Sequence, residues 1–181
     1  MQIRAATLDD APALAAIYGH HVLHGFGTFE EAPPSPQEMA ARMAAVTRRG
    51  LPYLVAEIDG AVCGFAYAGP FRTRAAYRYT VEDSVYIAPG RQGQGIGKAL
   101  LGAVIAACEA LGLRQMLAMI GDAANAGSVG LHAACGFSHV GAMSAVGFKA
   151  GRWVDVVVMQ RPLNAGAAAA PDAGGLDLSE G

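Results

Sequence analysis

EDSVYIAPGRQGQGIGK, residues 82 to 98, decides how this chain is read. Its first half alternates like a β-strand and stops at Ala88-Pro89. Its second half is a glycine-rich basic loop opening directly onto an apolar-periodic segment that begins at Ile96. A helix start stripped of side chains offers unpaired backbone N–H groups and the positive end of the helix dipole. Phosphate is the ligand that suits this geometry. An acid on the preceding strand, Glu82, raises the matter of what chemistry happens beside the bound phosphate.

Working outward, helical spacing continues through Leu100, Val104, Cys108 and Leu111 and ends at Gly112, with Gln115–Ile120 as a buried strand after it. Ser128–Ala134 reads as a short helix stopped by Gly136. Phe137–Val146 and Trp153–Gln160 read as a hairpin around Lys149–Arg152. Before the central stretch, Gln2–Ala6 is a short strand and Thr7 to Asp10 has the form of a capping box. Leu14, Ile17, Tyr18 and His21 then keep helical spacing. Gly25–Pro34 is a loop. Ser35-Pro36-Gln37-Glu38 starts a second helix running to about Arg49. Tyr53–Ile58 and Ala61–Ala68 form a hairpin about Asp59-Gly60, and Arg78–Ile87 is the strand that carries Glu82. Hairpins mixed with helices predict a mixed sheet, not a regular doubly wound one. The Gly/Ala/Pro-rich stretch from Asn164 is expected to be disordered.

Bulk properties narrow the function classes. With 181 residues and 53% hydrophobic content, one domain over residues 1–163 is expected, followed by the tail 164–181. A net charge of −2 supplies no field favouring nucleic acid or an anionic membrane. Cys63, Cys108 and Cys135 lie in apolar segments without C-x-x-C spacing, which reads as buried free thiols in a reducing compartment. Asp9 and Asp10 interrupt any signal peptide, and the apolar run Ala99–Cys108 is too short to span a bilayer. The expected location is cytoplasmic.

Two common phosphate loops fail on this sequence. A Walker-A loop needs glycine where Gln92 stands and Ser or Thr where Ala99 stands. A dinucleotide fingerprint needs Gly-x-Gly-x-x-Gly and a later acid, but the glycines here alternate as Gly93, Gly95 and Gly97, and the strand Met116–Ile120 has no acid. Metal catalysis fails as well. His20 and His24 are four apart on a helix with no H-E-x-x-H glutamate, and two histidines alone make a weak site.

Gln92-x-x-Gly95-x-Gly97 after the strand Val81–Ile87 resembles the acetyl-CoA pyrophosphate loop of the GNAT N-acetyltransferase superfamily. Asn125-x-x-Ser128-x-x-Leu131-His132-x-x-x-Gly136-Phe137 resembles its later motif, in which the asparagine binds the pantetheine arm. The resemblance implies a GNAT fold, with a largely antiparallel mixed sheet of about seven strands and about four helices. It also implies a cofactor cradle of Arg91, Gln92, Gly93, Gln94, Gly95, Ile96, Gly97 and Lys98, with Val85, Tyr86 and Ile87 lending backbone N–H groups to pantetheine and the thioester carbonyl. A tyrosine usually stands at position 132 as acid for the leaving thiolate. His132 departs from that pattern, and histidine also donates a proton near neutral pH, though a packing role fits it equally.

Closer matches are similar to the phosphinothricin and methionine sulfoximine acetyltransferases. They are Thr28-Phe29-Glu30 with Pro33-Pro34, Pro70 to Arg74, Ala76-Tyr77-Arg78, Thr80 to Tyr86, Val146 to Lys149, and Gly151-Arg152-Trp153-x-Asp155. That resemblance spans Ile3 to about Leu163 and implies acetylation of the α-amine of a small amino acid within a ternary complex, and a homodimer touching through Lys149–Trp153. Glu82 is the implied general base, because an ammonium group must lose a proton before attack. Phe29, Arg72, Thr73, Arg74, Glu82, Asp83 and Ser84 are the implied substrate residues, the two arginines offering forked donors to carboxylate and oxygen-rich head group. A solvated loop face is the lesser reading of Arg72 and Arg74, and Trp153 reads less as a pocket wall than as core or dimer contact. On a half-buried strand Glu82 and Ser84 share one face, and Val81, Asp83 and Val85 the other. Two alternatives stay open: acetylation of another small amine or a protein N-terminus, and a catalytically silent acyl-CoA-binding sensor.

Overall fold

The computed structural model describes residues 1–172 and 174–178. Seven strands are β1 (Gln2–Ala5), β2 (Tyr53–Ile58), β3 (Ala61–Pro70), β4 (Thr80–Ile87), β5 (Gln115–Gly121), β6 (Ser138–Lys149) and β7 (Arg152–Pro162). Four α-helices are α1 (Ala11–His24), α2 (Pro36–Thr47), α3 (Ile96–Ala110) and α4 (Ala126–Ala134). The strands form one sheet in the order β1-β2-β3-β4-β5-β7-β6. Only β4 and β5 pair in parallel. The mixed, largely antiparallel α/β architecture read from the sequence is the one observed.

Period-two alternation sends neighbouring residues to opposite layers. Tyr53, Val55 and Phe65 pack with Leu14, Tyr18 and Val22 of α1 and Met39 and Met43 of α2. On the other face Ala56, Ala66 and Val81 pack under Leu100, Leu101 and Val104 of α3. Val85 and Ile87 join the α3 layer while Tyr86 joins the α1–α2 layer. The central strand therefore addresses two different compartments.

Local chemistry accounts for most boundaries. The Ser35 side chain accepts the Glu38 N–H and Pro36 opens α2. The Ala150-Gly151 turn has φ of 47° and 78°, the doubly left-handed form that suits a two-residue hairpin. Three expectations shift. Ala75–Tyr77 forms a 3-10 turn that Arg78 closes, so β4 begins at Thr80 and not at Arg78. Leu111 lies beyond the end of α3 and is 42% exposed, so it leaves the apolar face predicted for it. Cys135 is half-buried, unlike Cys63 and Cys108.

The segment after Leu163 lies against the ends of β4 and β5. Arg114 donates to Ala170 O at 3.0 Å, and Leu176 donates its N–H to Arg78 O at 2.8 Å. Leu176 also enters the α3-side core. Disorder was expected there; the described residues are instead placed along the domain. Among the described residues no helix is long and apolar enough to cross a membrane.

The first strand and helix are tied by charge. Arg4 donates to both Asp10 carboxylate oxygens at 2.8 Å and to Glu57 at 2.9 Å. The Arg4 guanidinium holds the buried Asp10 carboxyl down at about 2. A depressed carboxyl adds stability above its unfolded pKa and loses it as pH falls through the folded one. Asp10→Asn should therefore cost about 2 kcal/mol at pH 7, and the difference should shrink steadily as urea unfolding is repeated below about pH 4.

Candidate active site

β4 and β5 are paired only at Thr80–Gln115, Val81–Met116 and Glu82–Leu117, although the strands continue to Ile87 and Gly121. Beyond Glu82 they separate, and a cavity of about 720 Å³ opens between them. The antiparallel pairing with β3 fixes which amides face it. Phe71 donates its N–H to Thr80 O, and Ala88 donates its N–H to Cys63 O. By alternation Glu82, Ser84 and Tyr86 point their amides at β3, and Asp83, Val85 and Ile87 point theirs at the gap. Of the three amides expected to meet a ligand, Val85 and Ile87 are free to do so and Tyr86 is not. His21 of α1 donates from Nε2 to Ile87 O at 2.9 Å and so caps the carbonyl next to them.

The glycine loop closes one end of the cavity. Gly95 is the N-cap of α3 at φ 78°, with no side chain bonding the first-turn amides. Added side-chain atoms at Gly93 or Gly95 would meet only open space, as a cradle for a ligand requires. At Gly97 a Cβ would stand 3.1 Å from Leu131 Cδ2, so glycine there lets α3 approach α4. Arg91, Gln92, Gly93, Gly95, Ile96, Gly97 and Lys98 all line the cavity. Gln94 does not, its side chain reaching back to Gly90 O at 3.4 Å. Asn125 caps α4 by accepting the Ser128 N–H at 3.1 Å, and it too lines the cavity.

Two acids adjacent in sequence face opposite ways. Glu82 lies on the α1–α2 face beside Ser84 and Tyr67, all three on the cavity wall. Burial, with the charge of Asp83 second, raises the Glu82 carboxyl above the usual glutamate range. Asp83 is buried on the α4 face, where its Oδ2 lies 3.0 Å from His132 Nε2. It therefore sits against His132, and it lines the same cavity as Glu82 and Ser84. His132 Nδ1 donates to Ser128 O at 2.7 Å, so both ring nitrogens are engaged, one by Ser128 and the other by Asp83. Burial pulls this histidine down, but the hydrogen bond and charge of Asp83 outweigh it, and its pKa is raised.

Other expected acceptor residues lie elsewhere. Phe29 is 40% exposed with its ring against Gly147, outside the cavity wall. Arg72, Thr73 and Arg74 are exposed, and Arg72 stacks over the Phe71 and Tyr77 rings at 5.1 and 5.7 Å. Trp153, 63% exposed, is not core. Lys149 is buried and bonded to loop carbonyls, so it is no surface contact. Sequence reasoning passed over Thr28, Tyr67 and His21 as wall residues, although His21 stood on the periodic face of its helix. Among the described residues no group of three or more His, Cys, Asp or Glu is placed to hold a metal ion.

Known proteins share this arrangement. The model of the Acetyltransferase (GNAT) family matches residues 17–137. Phosphinothricin N-acetyltransferase of Alcaligenes faecalis is 56% identical over 170 residues, covering 94% of this chain and 86% of its own. An L-methionine sulfoximine/L-methionine sulfone acetyltransferase of Salmonella typhimurium is 39% identical over 96% of this chain and 99% of its own. The crystal structure of a GNAT superfamily phosphinothricin acetyltransferase from Sinorhizobium meliloti in complex with AcCoA superposes with a TM-score of 0.92. Identity there is 49%, over 96% of this chain and 94% of that one.

The raised carboxyl at Glu82 has a consequence for stability. A group raised on folding contributes stability below its unfolded pKa and loses it as pH rises through the folded value. At neutral pH the buried charge is therefore a cost that glutamine lacks. Glu82→Gln should melt at a higher temperature than the parent at pH 7, and the two should converge below about pH 4, as read by calorimetric melting.

Proposed function

The chain belongs to the GNAT acetyltransferase family, and we propose that it transfers the acetyl group of acetyl-CoA to the α-amine of a small amino acid. Phosphinothricin, methionine sulfoximine and methionine sulfone are the acceptors the relatives point to. The observation that carries this reading is an unpaired, half-buried glutamate with raised pKa at the last paired position of β4, beside the gap between the strands.

The α3 cradle and the Val85 and Ile87 amides hold the cosubstrate, with Asn125 on the opposite wall. No other component is needed for direct attack. Glu82 takes a proton from the acceptor ammonium, directly or through one water. The freed amine nitrogen bonds the thioester carbon, and an edge amide of β4 stabilises the charge gathering on the carbonyl oxygen. The carbon–sulfur bond then breaks, and the nitrogen gives its second proton to water to leave a neutral amide. The departing thiolate takes a proton from His132, whose ring first lets go of Asp83 or Ser128 O. The free thiols Cys63, Cys108 and Cys135 take no part, and they suit a cytoplasmic enzyme.

We further place two copies together through the β6–β7 hairpin. Val140, Val146, Phe148 and Trp153 are each more than half exposed there, and Phe148 meets Trp153 edge-on at 5.3 Å. Light scattering should give twice the chain mass, and Trp153→Glu should give the single mass; a monomeric parent removes the pairing.

Thiol release from acetyl-CoA, with each of the three amino acids offered separately, tests the activity. Turnover with at least one is expected. Binding of coenzyme A with no acceleration by any amine would instead favour a silent acyl-CoA module. Glu82→Gln should lower kcat by about 10²–10⁴-fold. Since the base works only when ionised, kcat/KM should fall as pH drops through the raised Glu82 value. Near-normal turnover of the variant at neutral pH would remove Glu82 from this role.

A further inference from the structure

Lys149 is 5% exposed, and the transfer chemistry leaves it without a task. Its ammonium donates to Gly25 O at 2.9 Å and Thr28 O at 2.8 Å, both more than a hundred residues earlier in the chain. β6 delivers it there. The register slips between Met143 and Gly147, and Ala145, at φ 53°, donates its N–H to the Asp155 carboxylate at 2.8 Å. After this bulge Phe148 turns outward and Lys149 inward.

The loop it grips joins α1 to α2 and so belongs to the face of the sheet that Glu82 addresses. Gly27 and Thr28 line the cavity. The loop passes over the end of β5 so closely that a Cβ at Gly121 would lie on the Phe26 carbonyl oxygen. Beyond Thr28 it is held a second time. Thr28 Oγ1 lies 2.8 Å from the Tyr18 hydroxyl, Tyr18 donates to Glu30 at 2.8 Å, and Arg42 grips Glu30 with both terminal nitrogens. An irregular loop turns carbonyls inward with no ladder to receive them, and buried carbonyls without donors are costly. One ammonium supplies donors to two of them at once.

We propose that Lys149 is a positioning residue for the acceptor: by fixing the Gly25 and Thr28 carbonyls it sets the roof over the acceptor half of the cavity. It governs affinity for the amino acid without touching the thioester or the pyrophosphate cradle. This rests on the acceptor reading given under Proposed function.

The test compares Lys149→Met, which keeps most of the volume and removes the donors, with the parent enzyme. The acceptor KM should rise by about tenfold or more while the acetyl-CoA KM stays within about twofold. Hydrogen exchange of the amides in residues 25–31 should accelerate in the same variant. Gly121→Ala, which pushes the same loop from beneath through a different contact, should give the same one-sided KM change, and it carries the test if Lys149→Met does not fold. An unchanged acceptor KM, or equal rises for both substrates, overturns the proposal. If the parent acetylates no amino acid, the acceptor reading has failed. The exchange of residues 25–31 then still decides whether Lys149 holds the loop.

Discussion

The parting of two parallel strands organises this molecule. β4 and β5 share only three paired positions, and from Asp83 onward the β5-facing edge of β4 is without a ladder partner. Main-chain amides in a protein interior need partners, and unpaired ones mark a place where a ligand completes the structure. The gap also lies in line with the first turn of α3, where further amides lack side-chain caps. A long, thin ligand with amide groups along its arm and a diphosphate at its end satisfies both sets. That is the shape and chemistry of acetyl-CoA.

The alternation of β4 then divides the chemistry between two faces. Glu82 points toward α1 and α2, where burial makes it a better proton acceptor than an exposed carboxylate. Asp83, one residue on, points toward α4 and raises the pKa of His132. The two carboxylates are thus one step apart in sequence but on opposite sides of the sheet, with the strand gap between them. A ligand held in that gap has the Glu82 carboxyl on one side and the Asp83–His132 pair on the other. Neighbouring elements trim this space: His21 of α1 holds the Ile87 carbonyl, and Gly27 and Thr28 of the α1–α2 loop line the cavity.

What was legible in the sequence was local. The glycine loop, the helix start at Ile96, the Ser35 cap and the Asp59-Gly60 and Ala150-Gly151 turns follow from residue types a few positions apart. Glu82 was legible because period-two alternation needs only the strand itself. Roles that depend on distant contacts were not legible. Lys149 looked like the tip of a surface hairpin, since nothing near it in sequence announces the bulge that turns it inward. The contact of Asp83 with His132, 49 residues later, was not legible either. Arg72 and Arg74 were read from the family resemblance and their forked charge, and in the single chain their loop is exposed. The apolar residues of the tail, Leu176 and Leu178, were outweighed by their glycine- and alanine-rich surroundings.

A structure of the chain bound to coenzyme A puts the central claim to its most direct test. The account predicts the pantetheine arm lying between β4 and β5, hydrogen-bonded to the Val85 or Ile87 amides, with the diphosphate on the amides of residues 93–98. An arm bound anywhere else, or a diphosphate held only by side chains away from the start of α3, would contradict it.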